Sequence, residues 1–313
     1  MKSLPKFTAS VIALVAAVYW LTGTSLPGFQ EPAGKGQGTV LKPDDTPKDR
    51  SAEAPGAESP EAKTALDQAR QRLLRYQSIK AKLTETVALS SRRFTVNGSY
   101  LQGSGAELKL RLEFKVKLGD TEGSVLEVCD GQVLWTRHHI GDEAPRISRR
   151  DVRQILKAAA DNGYTDNLVT VDLGFGGLPG LFASIEQSMQ FDQFKEDTAD
   201  GHKLIVIEGG WRANMLKVWQ GNNPKAPLPD YVPSRVRIYF DSESLFPRRI
   251  LYLSRNAEQR LRPMVSLDFT EIETDIAIPA SKFKFAPPDG VFPDDLTPKF
   301  LEQIKQRKQL GSN

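Results

Sequence analysis

Residues 107–118 read ELKLRLEFKVKL and alternate polar and apolar at every position. Leu108, Leu110, Leu112, Phe114, Val116 and Leu118 share one parity, and charged residues hold the other. A period of two is the side-chain repeat of a β-strand, so this is a strand with one apolar and one charged face. What the apolar face covers, a packed core or a cavity for a ligand, is the question on which function turns.

Working outward, RRFTVNGSYLQ (92–102), TEGSVLEVCDG (121–131) and QVLWTRHH (132–139) read as neighbouring strands. Asp130-Gly131 between two apolar runs is a hairpin signal. On the N-terminal side, AKTALDQARQRLLRYQSIKAKL (62–83) carries Leu66, Ala69, Leu73, Tyr76 and Ile79 at helical spacing, with Ser59 or Thr64 as cap. SRRDVRQILKAAADNG (148–163) is expected to be helical, and the glycine-rich GFGGLPG (174–180) leads into a short apolar helix with Leu181, Phe182 and Ile185.

The second half returns to strands at 189–197, 202–209, 234–241, 246–255 and 262–273, with a last one at KFKF (282–285). WRANMLKVW (211–219) spaces Trp211, Met215 and Trp219 by four and predicts a short helix. Antiparallel strands with helices inserted among them predict an α+β domain on one large sheet.

Four regions follow. Residues 1–26 hold two lysines and then an apolar run, the layout of an export signal or a signal anchor, and the sequence leaves both open. Either one places the rest outside the cytoplasm, with anchoring at the inner membrane if the segment is kept. Residues 27–61 are rich in proline, glycine and charge and predict a disordered tether. Residues 62–296 form the folded domain, and 297–313 a polar C-terminal helix and tail.

Composition excludes several functions. The chain has 313 residues and a net charge of +3, and its basic residues are spread out, unlike the concentrated face of a nucleic-acid binder. Cys129 is the single cysteine, so neither an internal disulfide nor a cysteine metal cage is possible, and no lipobox cysteine follows the apolar run. GxSxG, P-loop, HExxH and nucleotide-binding glycine motifs are missing. His138 and His139 are chain neighbours on opposite strand faces, and His202 stands apart. Asp268, Glu271 and Glu273 lie among polar neighbours and read as solvated surface. No enzyme, cofactor or metal is expected.

Two stretches, LEVCDGQVLWTRHH (126–139) and KFKFAPPDGVFPDDLTP (282–298), resemble the LolA/LolB family of periplasmic lipoprotein carriers and its wider superfamily. The resemblance implies a LolA-like fold: an unclosed antiparallel β half-barrel with helices lying over its concave side. It implies a non-enzymatic carrier that holds the acyl chains of a lipoprotein or lipid. The lining would come from Leu108, Leu110, Leu112, Phe114 and Val116, from Trp135, and from Ile238, Phe240, Leu267 and Phe269. Leu178, Leu181, Phe182, Trp211, Met215 and Trp219 would contribute from the lid. Family carriers latch the lid through an arginine shortly after the first strand, and SYLQGSGAELK (99–109) has none there. A regulatory module binding an envelope protein partner is the rival implication, and an adaptor with a filled concavity is a third.

Overall fold

The structure, a computed structural model, describes residues 56–89, 92–103, 109–118, 121–163, 177–220, 228–229, 232–255 and 260–311. The membrane-segment expectation for 1–26, most of the tether and Leu108 lie outside these residues.

The chain opens with α1 (Pro60–Arg75), where Ser59 Oγ accepts from Ala62 N–H at 3.1 Å and Pro60 supplies the first turn. An antiparallel meander follows: β1 (Ser78–Leu89), β2 (Arg92–Gly103), β3 (Lys109–Leu118), β4 (Thr121–Asp130), β5 (Val133–Ile140) and β6 (Arg146–Asp151). Two helices, α2 (Val152–Asp161) and α3 (Gly177–Ser188), precede β7 (Met189–Ala199) at the opposite edge of the sheet. From there β8 (His202–Trp211), α4 (Ala213–Gln220), β9 (Arg235–Asp241), β10 (Pro247–Arg255) and β11 (Leu261–Thr274) work back until β11 pairs with β1. A 3₁₀ turn (Ala280–Phe283), the two-residue β12 (Asp294–Asp295) and α5 (Thr297–Gly311) end the chain.

The result is one 12-stranded sheet, ordered β12-β6-β5-β4-β3-β2-β1-β11-β10-β9-β8-β7. It is unclosed, with β12 and β7 at its edges, and among the described residues only the β12–β6 pair is parallel. The sheet is also curled. Leu178, in the first turn of α3, donates its N–H to Tyr100 Oη on β2, and α3 runs straight into β7. From β2 to β7 is six steps, roughly 29 Å across a flat sheet at about 4.8 Å per strand. Eleven helical residues rise only about 17 Å, and the tyrosine's own reach does not close the gap. The helix therefore spans a chord and the sheet bows around it.

Four expectations are corrected. The helix predicted over 62–83 stops at Arg75, and Ile79 belongs to β1, a strand the spacing of Leu73, Tyr76 and Ile79 had hidden. Residues 146–151 are strand β6, and helix α2 starts after Asp151, whose side chain accepts from Gln154 N–H at 2.8 Å. Trp211 closes β8 and is not part of a helix with Met215. KFKF is no strand: Lys284 N–H bonds Ser281 O at 3.2 Å and closes a 3₁₀ turn after Pro279.

Candidate functional site

Cross-strand register defines the inner face. Leu110 of β3 stands opposite Cys129 of β4, which stands opposite Leu134 of β5, and all three are buried. Phe114 faces Gly98 on β2 and Val125 on β4. Its ring lies over Gly98 so closely that a Cβ there would sit 2.7 Å from Phe114 Cδ1, so glycine is what lets the ring lie flat against the strand. Val116 is buried beside it and Leu112 half-buried. From the other half, Ile238 and Phe240 of β9 and Leu267 and Phe269 of β11 belong to the same cluster. The floor is therefore largely apolar from β3 to β9.

The roof is helical. Leu178, Leu181, Phe182 and Ile185 of α3 are buried, and Phe182 meets Phe240 edge-on at 5.6 Å between ring centres. The start of α3 is pinned by a short relay: Leu178 N–H donates to Tyr100 Oη, 2.9 Å away, and the Tyr100 hydroxyl donates to Gln102 Oε1. Gly177 adopts φ +56° there, and a Cβ would lie 2.6 Å from Tyr100 Oη, so both conformation and space demand glycine. Helix α1 turns Ala62, Ala65, Leu66, Ala69 and Leu73 inward, and Arg70 pairs with Glu186 of α3 at 3.3 Å. Met215 of α4 is buried, and the Trp211 indole N–H donates to Pro233 O at 2.5 Å.

The β4–β6 end is polar. Arg150 Nη2 donates to Thr136 Oγ1 at 2.8 Å, lies 3.9 Å from Glu127 Oε1, and stacks over the Phe300 ring of α5 at 5.7 Å. Burial raises the Glu127 pKa, and the Arg150 charge opposes that rise. Burial lowers the pKa of His138, and Arg150 and Arg146 add to the effect, so it favours the neutral imidazole. No sequence motif announced this cluster, because its residues come from three strands.

Among the described residues, two side-chain oxygens on the inner face of the central strands are buried without a hydrogen-bond partner. Glu85 on β1 is 1% exposed, and its Oε1 makes no hydrogen bond; burial alone pushes its pKa up to about 8. Tyr252 Oη on β10 is likewise buried and unbonded, and burial and then Glu85 push its ionisation up.

Of the expected lining, one residue is misplaced. Trp135 pairs with Val128, not with the Cys129–Leu134 row, so it points to the convex face, where it packs on Phe285 at 5.7 Å. Side-chain parity makes Leu134 the inward residue of β5. Leu108 and the Trp219 side chain lie outside the described residues. The surface reading of the β11 carboxylates is met by pairs: Glu271 with Lys82 and Glu273 with Lys80, both at 2.6 Å, and Asp268 with Arg249.

No family model and no curated protein matches the chain. Solved structures do. MucB is 13% identical at a TM-score of 0.39, over 74% of this chain and 65% of MucB, and MucB of Pseudomonas aeruginosa has been solved with MucA. The lipoprotein LppX of Mycobacterium tuberculosis is 10% identical at a TM-score of 0.36, over 71% of this chain and 99% of LppX. A Vibrio parahaemolyticus domain provisionally assigned to outer membrane lipoprotein sorting is 10% identical at 0.25, over 71% and 97%. Likenesses of this size carry no functional argument.

Proposed function

We propose that the chain is a non-enzymatic binding protein of LolA-like half-barrel type, which holds acyl chains of a lipoprotein or lipid on the extracytoplasmic side of a membrane. The supporting observation is the largely apolar concave floor, which runs from β3 to β9 with Glu85 and Tyr252 set into it, and is covered by a helix, α3, whose leading end is bonded through Leu178 to Tyr100. In this reading the Tyr100–Leu178 bond does the work expected of the missing arginine, beside the buried Leu181, Phe182 and Ile185 that seat α3 on the floor. Each CH₂ moved from water to such a floor gains about 0.8 kcal/mol, enough to bind a chain and still release it. Residues 1–26 would direct export or anchor the protein, 27–61 would tether it, and 62–296 would carry the ligand.

A regulatory module that binds an envelope protein is the second reading. It is favoured by the burial of the floor beneath the helices: Leu110, Phe114, Ile238 and Phe240 are all no more than 4% exposed, as in a filled core.

Native mass spectrometry with lipid extraction, on full-length protein from a membrane-containing host, tests the choice. A co-purified acylated species that is lost on Leu112→Glu supports the carrier. Protein that stays empty when offered lipids sinks it and leaves the second reading.

A further inference from the structure

A carboxyl oxygen, Glu85 Oε1, and the Tyr252 phenol oxygen, both in the inner wall and without a hydrogen-bond partner among the described residues, need an explanation. Glu85 stands opposite Val96 on β2 and Leu267 on β11, and Tyr252 opposite Val265 and Val236. Glu85 Oε1 and Tyr252 Oη are each buried with no hydrogen-bond partner, in residues that are 1% and 3% exposed. Tyr100 shows the contrast, since on the same face it has both a donor and an acceptor. The rows that hold Glu85 and Tyr252 lie along the strands between the Phe182–Phe240 contact and the end where Trp211 passes into α4.

We propose that Glu85 and Tyr252 are the polar anchor of the concave site, two O–H donors that hold the carbonyl oxygen of an ester- or amide-linked acyl chain. The inference rests on the acyl-binding reading and names the part of the ligand that this wall recognises. With its pKa near 8, Glu85 is mostly protonated at neutral pH, and Tyr252 keeps its proton throughout. Two neutral hydroxyl donors call for an acceptor without positive charge, and a carbonyl oxygen is one. An ammonium group would require ionised Glu85, which Leu83, Val87, Val96 and Leu267 around it disfavour. The hydrocarbon on either side of the carbonyl then lies on apolar rows.

The test compares methyl palmitate, hexadecyl methyl ether and hexadecylamine as competitors for a neutral fluorescent apolar probe on the full-length chain. Wild type is expected to bind the ester about tenfold tighter than the ether, because the ether leaves both donors poorly matched. Glu85→Leu and Tyr252→Phe should each bring that ratio close to one while ether binding stays within about twofold. Both variants remove a buried unpartnered polar group, so folding is not put at risk, and near-ultraviolet circular dichroism confirms it.

Equal binding of ester and ether by wild type overturns the anchor and leaves the acyl-binding reading intact. Preference for the amine overturns it by showing a carboxylate–cation site. Failure of all three to bind overturns both. With the anchor in place, competition between dioleoylglycerol and a palmitoylated peptide shows whether the carbonyl comes from a lipid or an acylated protein; either preference, if abolished in Tyr252→Phe, supports the assignment.

Discussion

β1 and β3 flank β2 in the same sheet and present their inner rows to the same apolar cluster, yet those rows differ in one residue. β3 places Leu110, Leu112, Phe114 and Val116 inward, all apolar. β1 places Ile79, Ala81, Leu83, Glu85 and Val87 inward, and the fourth of these is an acid. In β3 every inward side chain adds burial to the folded state. In β1 one of them imposes a cost that the fold must carry, because Glu85 Oε1 loses its hydration and gains no hydrogen bond in return. A sheet made only to be stable would have an aliphatic residue at 85.

The largest effect is expected where β3 contributes most. Phe114→Ala removes a buried ring from the centre of the floor and should cost about 3–5 kcal/mol in a denaturant titration. A loss below about 1 kcal/mol would mean that the floor is loosely packed and that β3 is not its centre.

The acid in β1 should act in the opposite direction. Between its ordinary pKa of 4.5 and about 8, the folded state keeps the Glu85 proton and the unfolded state releases it. Stability through this group therefore falls as pH rises across that window, by about 1.4 kcal/mol per unit at most, and levels off above it. Glu85→Gln removes the slope and should gain on the order of 4 kcal/mol at pH 8. Parallel stability–pH curves for the two proteins would show that Glu85 is hydrated or paired in solution.

Gly98, between the two strands, tests their spacing. An added methyl meets the Phe114 ring and the Glu113 carbonyl oxygen, so Gly98→Ala should destabilise by about 1–3 kcal/mol. In the double variant with Phe114→Leu the penalty should shrink, and failure to shrink would assign it to the backbone contact alone.

Tyr100→Phe breaks the relay to Leu178 at a cost of about 1 kcal/mol, seen most directly as faster amide exchange in the first turn of α3. Smallest of all, Lys80→Ala on the outer face of β1 removes a half-exposed pair with Glu273 and should change stability by less than about 0.5 kcal/mol.

The same difference governs what could be read in advance. β3 was legible because its alternation is unbroken. β1 was not, because Glu85 interrupts the apolar parity and Ile79 also fits the spacing of the helix before it. β6 was hidden for a related reason: its inward Arg150 answers Glu127 and Thr136 on strands it meets only in the fold. Trp135 was recognised as a strand residue but assigned to the wrong face. Only register could decide this, by setting Leu134 against Cys129 and leaving Trp135 to Phe285.

By itself, the sequence determined the period-two strands, the hairpin turns, the helices at each end and the absence of catalytic motifs, because these depend on residues close along the chain. Tertiary structure decided the order of the strands, the meeting of β1 with β11, the bowing of the sheet around α3, and the isolation of Glu85 and Tyr252 on its inner wall. Those depend on pairs as far apart as 85 and 252, and what burial does to a carboxyl is set by every neighbour that surrounds it.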